Sequence, residues 1–81
     1  MKIVVQAFAE AAEVLGFRQK QFDVESDITA SELVRLLAYS NQEFKRIAKT
    51  IFVAINEEYC SPDAVIHEND VVDLIPPVGG G

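Results

Sequence analysis

The sequence predicts an α+β fold, a mixed sheet packed on one main helix, and three observations carry that prediction. Short runs rich in Val and Ile ("KIVVQAF", "TIFVAIN", "VVDLI") are set apart by turn residues, the pattern of strands. One longer stretch, "TASELVRLLAYSN", has apolar residues at helical spacing behind a T-x-x-E capping box. The chain has 81 residues, 49% of them hydrophobic, which suits one small domain with a thin core and argues against disorder.

In order, residues 2–8 form the first strand. "AEAAEVLG" holds strong helix formers and stops at Gly16, a glycine C-cap. Residues 20–24 alternate, with Phe22 and Val24 on one face, and should pair with the first strand as a hairpin around that short helix. In the main helix Thr29 and Glu32 make the capping box, and Leu33, Leu36 and Leu37 should lie on the sheet. "QEFKRIAK" adds a turn or two, with Phe44, Ile47 and Ala48 inward. Residues 50–56 are a strand, "NEE" a turn and "YC" a brief resumption of pairing. Pro62 keeps "SPD" out of any central strand. "AVIHEND" gives a short apolar touch and a tight turn at Asn69–Asp70, and residues 71–75 are the last strand. The crossover rule puts that strand in the centre, beside and parallel to the first. This order is a β-grasp, or ubiquitin-like, arrangement, with the domain over residues 1–75 and a flexible C-terminal tail over 76–81.

Composition narrows the function classes. The net charge of −6, with Asp and Glu scattered, speaks against nucleic acid, which needs clustered Lys and Arg, and suits a basic protein partner. "IFVAI" and the other apolar runs are too short to span a membrane. Lys2 leads straight into "IVVQAFA", without the pattern of a secretion signal. The single cysteine, Cys60, leaves no internal disulfide and fits a cytoplasmic location. Cys60 and His67 together supply neither the ligand count nor the spacing of a zinc site, and "NEE" and "END" are turns rather than calcium loops, so no metal is expected. "EFKRIAK" is a solvated helix face.

The sequence ends in "PPVGGG". Pro76 and Pro77 fix φ and hold the base of an arm away from the sheet. Val78 precedes Gly79, Gly80 and Gly81, which let another backbone approach closely. Six residues reach about 20 Å when extended. A glycine end is ordinarily a frayed terminus, but the elements before this one resemble a family. "FAEAAEVLG" after the first strand, "VAINEEY" in the middle and "HENDVVDLIPPVGGG" at the end are together similar, over essentially the whole length, to the small subunit of molybdopterin synthase, a ubiquitin-like sulfur carrier. Asn69 stands where that family usually has glycine, and Asn tolerates the left-handed turn. Gly79 stands where it often has a small polar residue.

The resemblance implies a chemistry at the main-chain terminus. The Gly81 carboxylate would be adenylated with ATP on a ubiquitin-activating-like adenylyltransferase. A sulfur donor would convert it to a thiocarboxylate, and the tail would enter a large catalytic subunit to give sulfur to cyclic pyranopterin monophosphate. The chain itself would bind no cofactor and needs no catalytic side chain. Strand alternation adds a docking surface. Ile3, Val5, Ala7, Val72 and Leu74 should face the helix, while Val4, Gln6, Phe8, Val71, Asp73 and Ile75 face the other side. Phe8 and Ile75, joined by Tyr59, make an apolar patch at the root of the tail. Two alternatives share the same tail: a sulfur carrier for the thiazole of thiamine, against which "AEAAEVLG" and "SNQEFKRIAK" weigh, and a ubiquitin-like modifier of protein lysines. A plain binding module is the fourth reading.

Overall fold

The computed structural model describes residues 1–77, and the chain folds into a five-stranded mixed sheet with its helices on one face. The strands are β1 (Lys2–Ala7), β2 (Gln19–Asp23), β3 (Phe52–Ile55), β4 (Glu58–Tyr59) and β5 (Val71–Ile75), in the spatial order β2-β1-β5-β3-β4. β5 is central and parallel to β1, with Val5 opposite Val72 and Ala7 opposite Leu74. Its other neighbour, β3, is antiparallel, with Val53 opposite Leu74 and Phe52 opposite Ile75. The β-grasp order expected from the sequence is therefore the one observed.

Each helix is bounded by local chemistry. α1 (Ala9–Leu15) fills the β1–β2 connection and closes at Gly16, whose φ of 83° is the left-handed cap that glycine adopts at least cost. α2 (Ala30–Tyr39) starts at Thr29: the Thr29 side chain accepts from the Glu32 backbone N–H, and the Glu32 carboxylate accepts from the Thr29 N–H. α3 (Gln42–Ile47) is a separate helix because Asn41 interrupts the chain in extended geometry and caps the new helix, its Oδ1 accepting from Phe44 N–H at 2.9 Å. The Asn41 amide also donates to the Val14 carbonyl at 2.9 Å, tying α3 to α1.

The core is built from Ile3, Val5, Leu33, Phe44, Ile66, Val72 and Leu74, all buried, with Ala11 and Leu37 among them. Alternation along β1 and β5 holds as the sequence predicts, with Ile3, Val5, Ala7, Val72 and Leu74 on the helix side. Two expectations are corrected. Leu36 does not lie on the sheet and is 51% exposed. At about 100° per residue it sits roughly 100° from the centre of the stripe formed by Ala30, Leu33 and Leu37, the buried residues of the helix. The third strand begins at Phe52 rather than residue 50, because Ala48–Thr50 form a single 3₁₀ turn whose exposed Thr50 hydroxyl donates to the Ile47 carbonyl.

Candidate functional site

The face of the sheet opposite the helices carries the candidate site. Register places the side chains. Across the middle of the sheet run Gln19, Gln6, Asp73, Ala54 and Tyr59, each paired with the next. One step toward the tail, Phe52 is paired with Ile75. Phe8 follows Ala7, the last residue of β1, and its N–H donates to the Leu74 carbonyl at 3.1 Å, which keeps it beside Ile75. The chain then turns sharply into α1 through Ala9, at φ 49°.

Phe8 and Tyr59 are exposed, at 43% and 72%, and Ile75 is half-buried. Ile75 lies next to Phe8 on one flank and Phe52 on the other, with Tyr59 in the neighbouring row beside Ala54. Phe52 was not read from the sequence as part of the patch. It is 55% exposed and meets Tyr59 edge-on, with ring centroids 6.3 Å apart. Alternation within "TIFVAIN" together with the pairing of the third strand with the last places it there. Aromatic side chains presented together at a sheet end make a surface whose burial is worth roughly 1.5–3 kcal/mol per side chain.

At the centre of this face is a charge. Asp73 projects outward from β5 between Gln6 and Ala54. Its Oδ1 is buried with no hydrogen-bond partner among the described residues. Burial pushes its carboxyl above the usual aspartate range, and the negative charge of Glu57 pushes it the same way. Gln6, its neighbour on β1, directs an amide hydrogen to Gln19 Oε1 at 3.1 Å.

The root of the tail is described and its tip is not. β5 ends at Ile75, and Pro76 and Pro77 follow outside regular structure. Val78, Gly79, Gly80 and Gly81, on which the expected chemistry falls, lie outside the described residues. Cys60 is half-buried, with its Sγ donating to the Val53 carbonyl at 3.5 Å, and burial pushes its thiol up, the opposite of an activated nucleophile. His67 is exposed beside Asp70 in the last turn. Among the described residues no cluster of His, Cys, Asp or Glu is arranged to hold a metal, and no helix is long and apolar enough to cross a membrane.

Known proteins share this design. The molybdopterin synthase sulfur carrier subunit of Dictyostelium discoideum is 34% identical, over 91% of this chain and 90% of that one. The protein of the same name from Chlamydomonas reinhardtii is 29% identical over the full length of both. Among solved structures, small archaeal modifier protein 1 of Haloferax volcanii superposes with a TM-score of 0.80 at 26% identity, covering 95% of this chain and 98% of that one. The model of the ThiS family matches residues 5–81, tail included. By fold, by the order of its elements and by this match, the chain belongs to the ThiS family of ubiquitin-like β-grasp proteins.

Proposed function

We propose that this chain is the sulfur-carrier small subunit of a molybdopterin synthase, and that Gly81 is its reactive residue. The observation that carries the reading is full-length similarity to proteins named molybdopterin synthase sulfur carrier subunit, with the "PPVGGG" end inside the matched region. The geometry agrees with a carrier. Its rigid part is a closed core with no nucleophile activated among the described residues, and β5, the strand that leads to the tail, is the central strand of the sheet.

On this reading the Gly81 carboxylate attacks the α-phosphate of ATP on a separate adenylyltransferase, pyrophosphate leaves, and an acyl adenylate forms. Hydrosulfide supplied by a sulfur donor attacks the carbonyl and displaces AMP, leaving a thiocarboxylate and a released proton. The carrier then docks on a large catalytic subunit through Phe8, Phe52, Tyr59 and Ile75. Pro76, Pro77, Val78, Gly79 and Gly80 guide the terminus into its active site, where sulfur passes to cyclic pyranopterin monophosphate. ATP is consumed on the activating enzyme, the carrier holds no cofactor, and the setting is the cytoplasm.

A second reading has its own support: the Haloferax relative is named a modifier protein, and a modifier would use the same terminus to acylate protein lysines. One experiment separates them. The chain is incubated with its activating enzyme, ATP and a sulfur donor, and its intact mass is taken. Replacement of one oxygen by sulfur, lost on deletion of Gly81, is the result expected of a carrier. Covalent conjugates to other proteins in place of the sulfur-bearing species favour the modifier. Dithiolene product from a chain lacking Gly81 refutes the mechanism.

A further inference from the structure

Asp73 is an unusual residue to find at the middle of an apolar docking face. It occupies the central strand, flanked along β5 by Val71 and Ile75 and across the sheet by Gln6 and Ala54. One carboxylate oxygen is buried without a donor, and no ion pair among the described residues involves Asp73. The charge that acts on it is another carboxylate, that of Glu57 in the β3–β4 turn.

Any surface that covers Phe8, Phe52, Tyr59 and Ile75 also covers Asp73, because the row of Ile75 and Phe52 is adjacent to the row of Asp73 and Ala54. Covering removes the water that solvates the other carboxylate oxygen. A carboxylate taken out of water without a partner costs more than burying one apolar side chain returns. The face is therefore a poor docking surface for a purely apolar partner and a good one for a partner that brings a cation. Rotation about χ2 only exchanges which oxygen is buried, so the carboxylate presents one acceptor oxygen outward. A guanidinium suits it better than an ammonium, since it is less strongly hydrated and loses less on leaving water. Glu57 adds a second negative charge on the same flank, and the chain as a whole carries −6.

We propose that Asp73 is the charge anchor of this docking face, and that the partner surface covering Phe8, Phe52, Tyr59 and Ile75 carries a basic side chain, an arginine by its weaker hydration, aimed at it. The inference rests on the reading that the chain docks on a large synthase subunit through this face. It specifies what that subunit must present there: an apolar collar around one cation.

Calorimetric titration of the chain into the molybdopterin synthase large subunit of the same organism tests both levels. Ile75→Asp should abolish binding if this face docks. Asp73→Asn, whose side chain points out of the core, should melt no lower than wild type yet bind at least about 30-fold more weakly, because truncating one member of a buried charge pair leaves the other unpaired. Its affinity should also depend less steeply on salt. Wild-type affinity, or tighter binding, in Asp73→Asn overturns the anchor and leaves the carrier reading intact. Wild-type affinity in Ile75→Asp moves docking off this face and overturns the anchor with it. No binding by the wild-type chain overturns both.

Discussion

Replacing Glu57 by glycine should stabilise the domain. β3 and β4 are joined by two residues, with Ile55 paired to Glu58 across the turn. Those residues, Asn56 and Glu57, have φ of 51° and 72°. Two consecutive left-handed residues are the type I′ hairpin turn, for which Asn-Gly is the favoured pair. Here the second position is Glu, and holding an L-residue in that region costs about 1–2 kcal/mol. Glycine removes that cost but adds about 0.5–1 kcal/mol of unfolded-state freedom. The net expectation is a gain of about 0.5–1 kcal/mol, to which relief of the Glu57–Asp73 repulsion adds. For a domain of this size that is a rise in Tm of roughly 2–8 °C, measured by circular dichroism at pH 7.

Asn56→Gly is the control, because it relieves the same backbone conformation while losing side-chain contacts. The Asn56 amide donates to Asp70 Oδ1 at 2.9 Å, and its carbonyl oxygen accepts from the Val71 N–H at 3.0 Å. At about 0.5–1.5 kcal/mol per hydrogen bond, that loss outweighs the gain, so Asn56→Gly should lower Tm. In an Asp73→Asn background the gain from Glu57→Gly should shrink by whatever part came from charge repulsion. A fall in Tm for Glu57→Gly, or shifts of the same sign for both glycine variants, would refute the backbone argument.

Two further expectations concern caps and pH. Thr29→Ala removes the side-chain half of the capping box, leaving the residue-29 N–H to Glu32, and should cost about 1 kcal/mol, seen as a lower urea midpoint with unchanged slope. For pH, the carboxyl of Asp23 is held low by hydrogen bonds from the N-terminal ammonium and Lys2, and that of Glu32 by the Thr29 N–H. Their stabilisation is complete above their ordinary values of 3.8 and 4.5 and is lost as pH falls through the lower folded values. Asp73 runs the other way: its raised folded value means that stability falls as pH rises from 3.8 through that value. Asp73→Asn should therefore raise Tm at neutral pH, with the gain vanishing as the wild-type aspartate protonates; a gain that persists unchanged in acid would contradict this.

Much of the fold was legible because local signals and the global pattern agree. Period-two alternation in "KIVVQAF" and "VVDLI" fixed which side of each strand is buried. The capping box fixed where the main helix starts, and Gly16 where the short one ends. What was not legible depended on phase. Leu36 is as apolar as Leu33 and Leu37, and only the angular position of the stripe tells that it misses the core. Asn41, which separates α2 from α3, is a common residue whose capping role depends on the Phe44 N–H being free to reach it. Phe8, Ile75 and Tyr59 followed from alternation and strand order, whereas Phe52 required the register of β3 against β5. The sequence placed Asp73 on the outer face, but its lack of a donor is a property of its neighbours: Gln6 had to turn to Gln19, and Ala54 had to have nothing to give.

The position of β5 links docking to delivery. In this topology the last strand is central, so the chain leaves the fold from between β1 and β3 rather than from an edge. Each flanking strand contributes an aromatic side chain at that exit, Phe8 from one side and Phe52 from the other. A partner that grips these two grips the root of the tail as well. Insertion of the terminus then becomes an intramolecular event, governed by an effective concentration rather than by a second encounter. The six residues from Pro76 reach about 20 Å, so such a partner must hold its acceptor within that distance of the aromatic collar. Lengthening the arm between Ile75 and Gly79 should then slow sulfur transfer while leaving the affinity of docking unchanged, whereas an edge-strand exit would have let the two vary together.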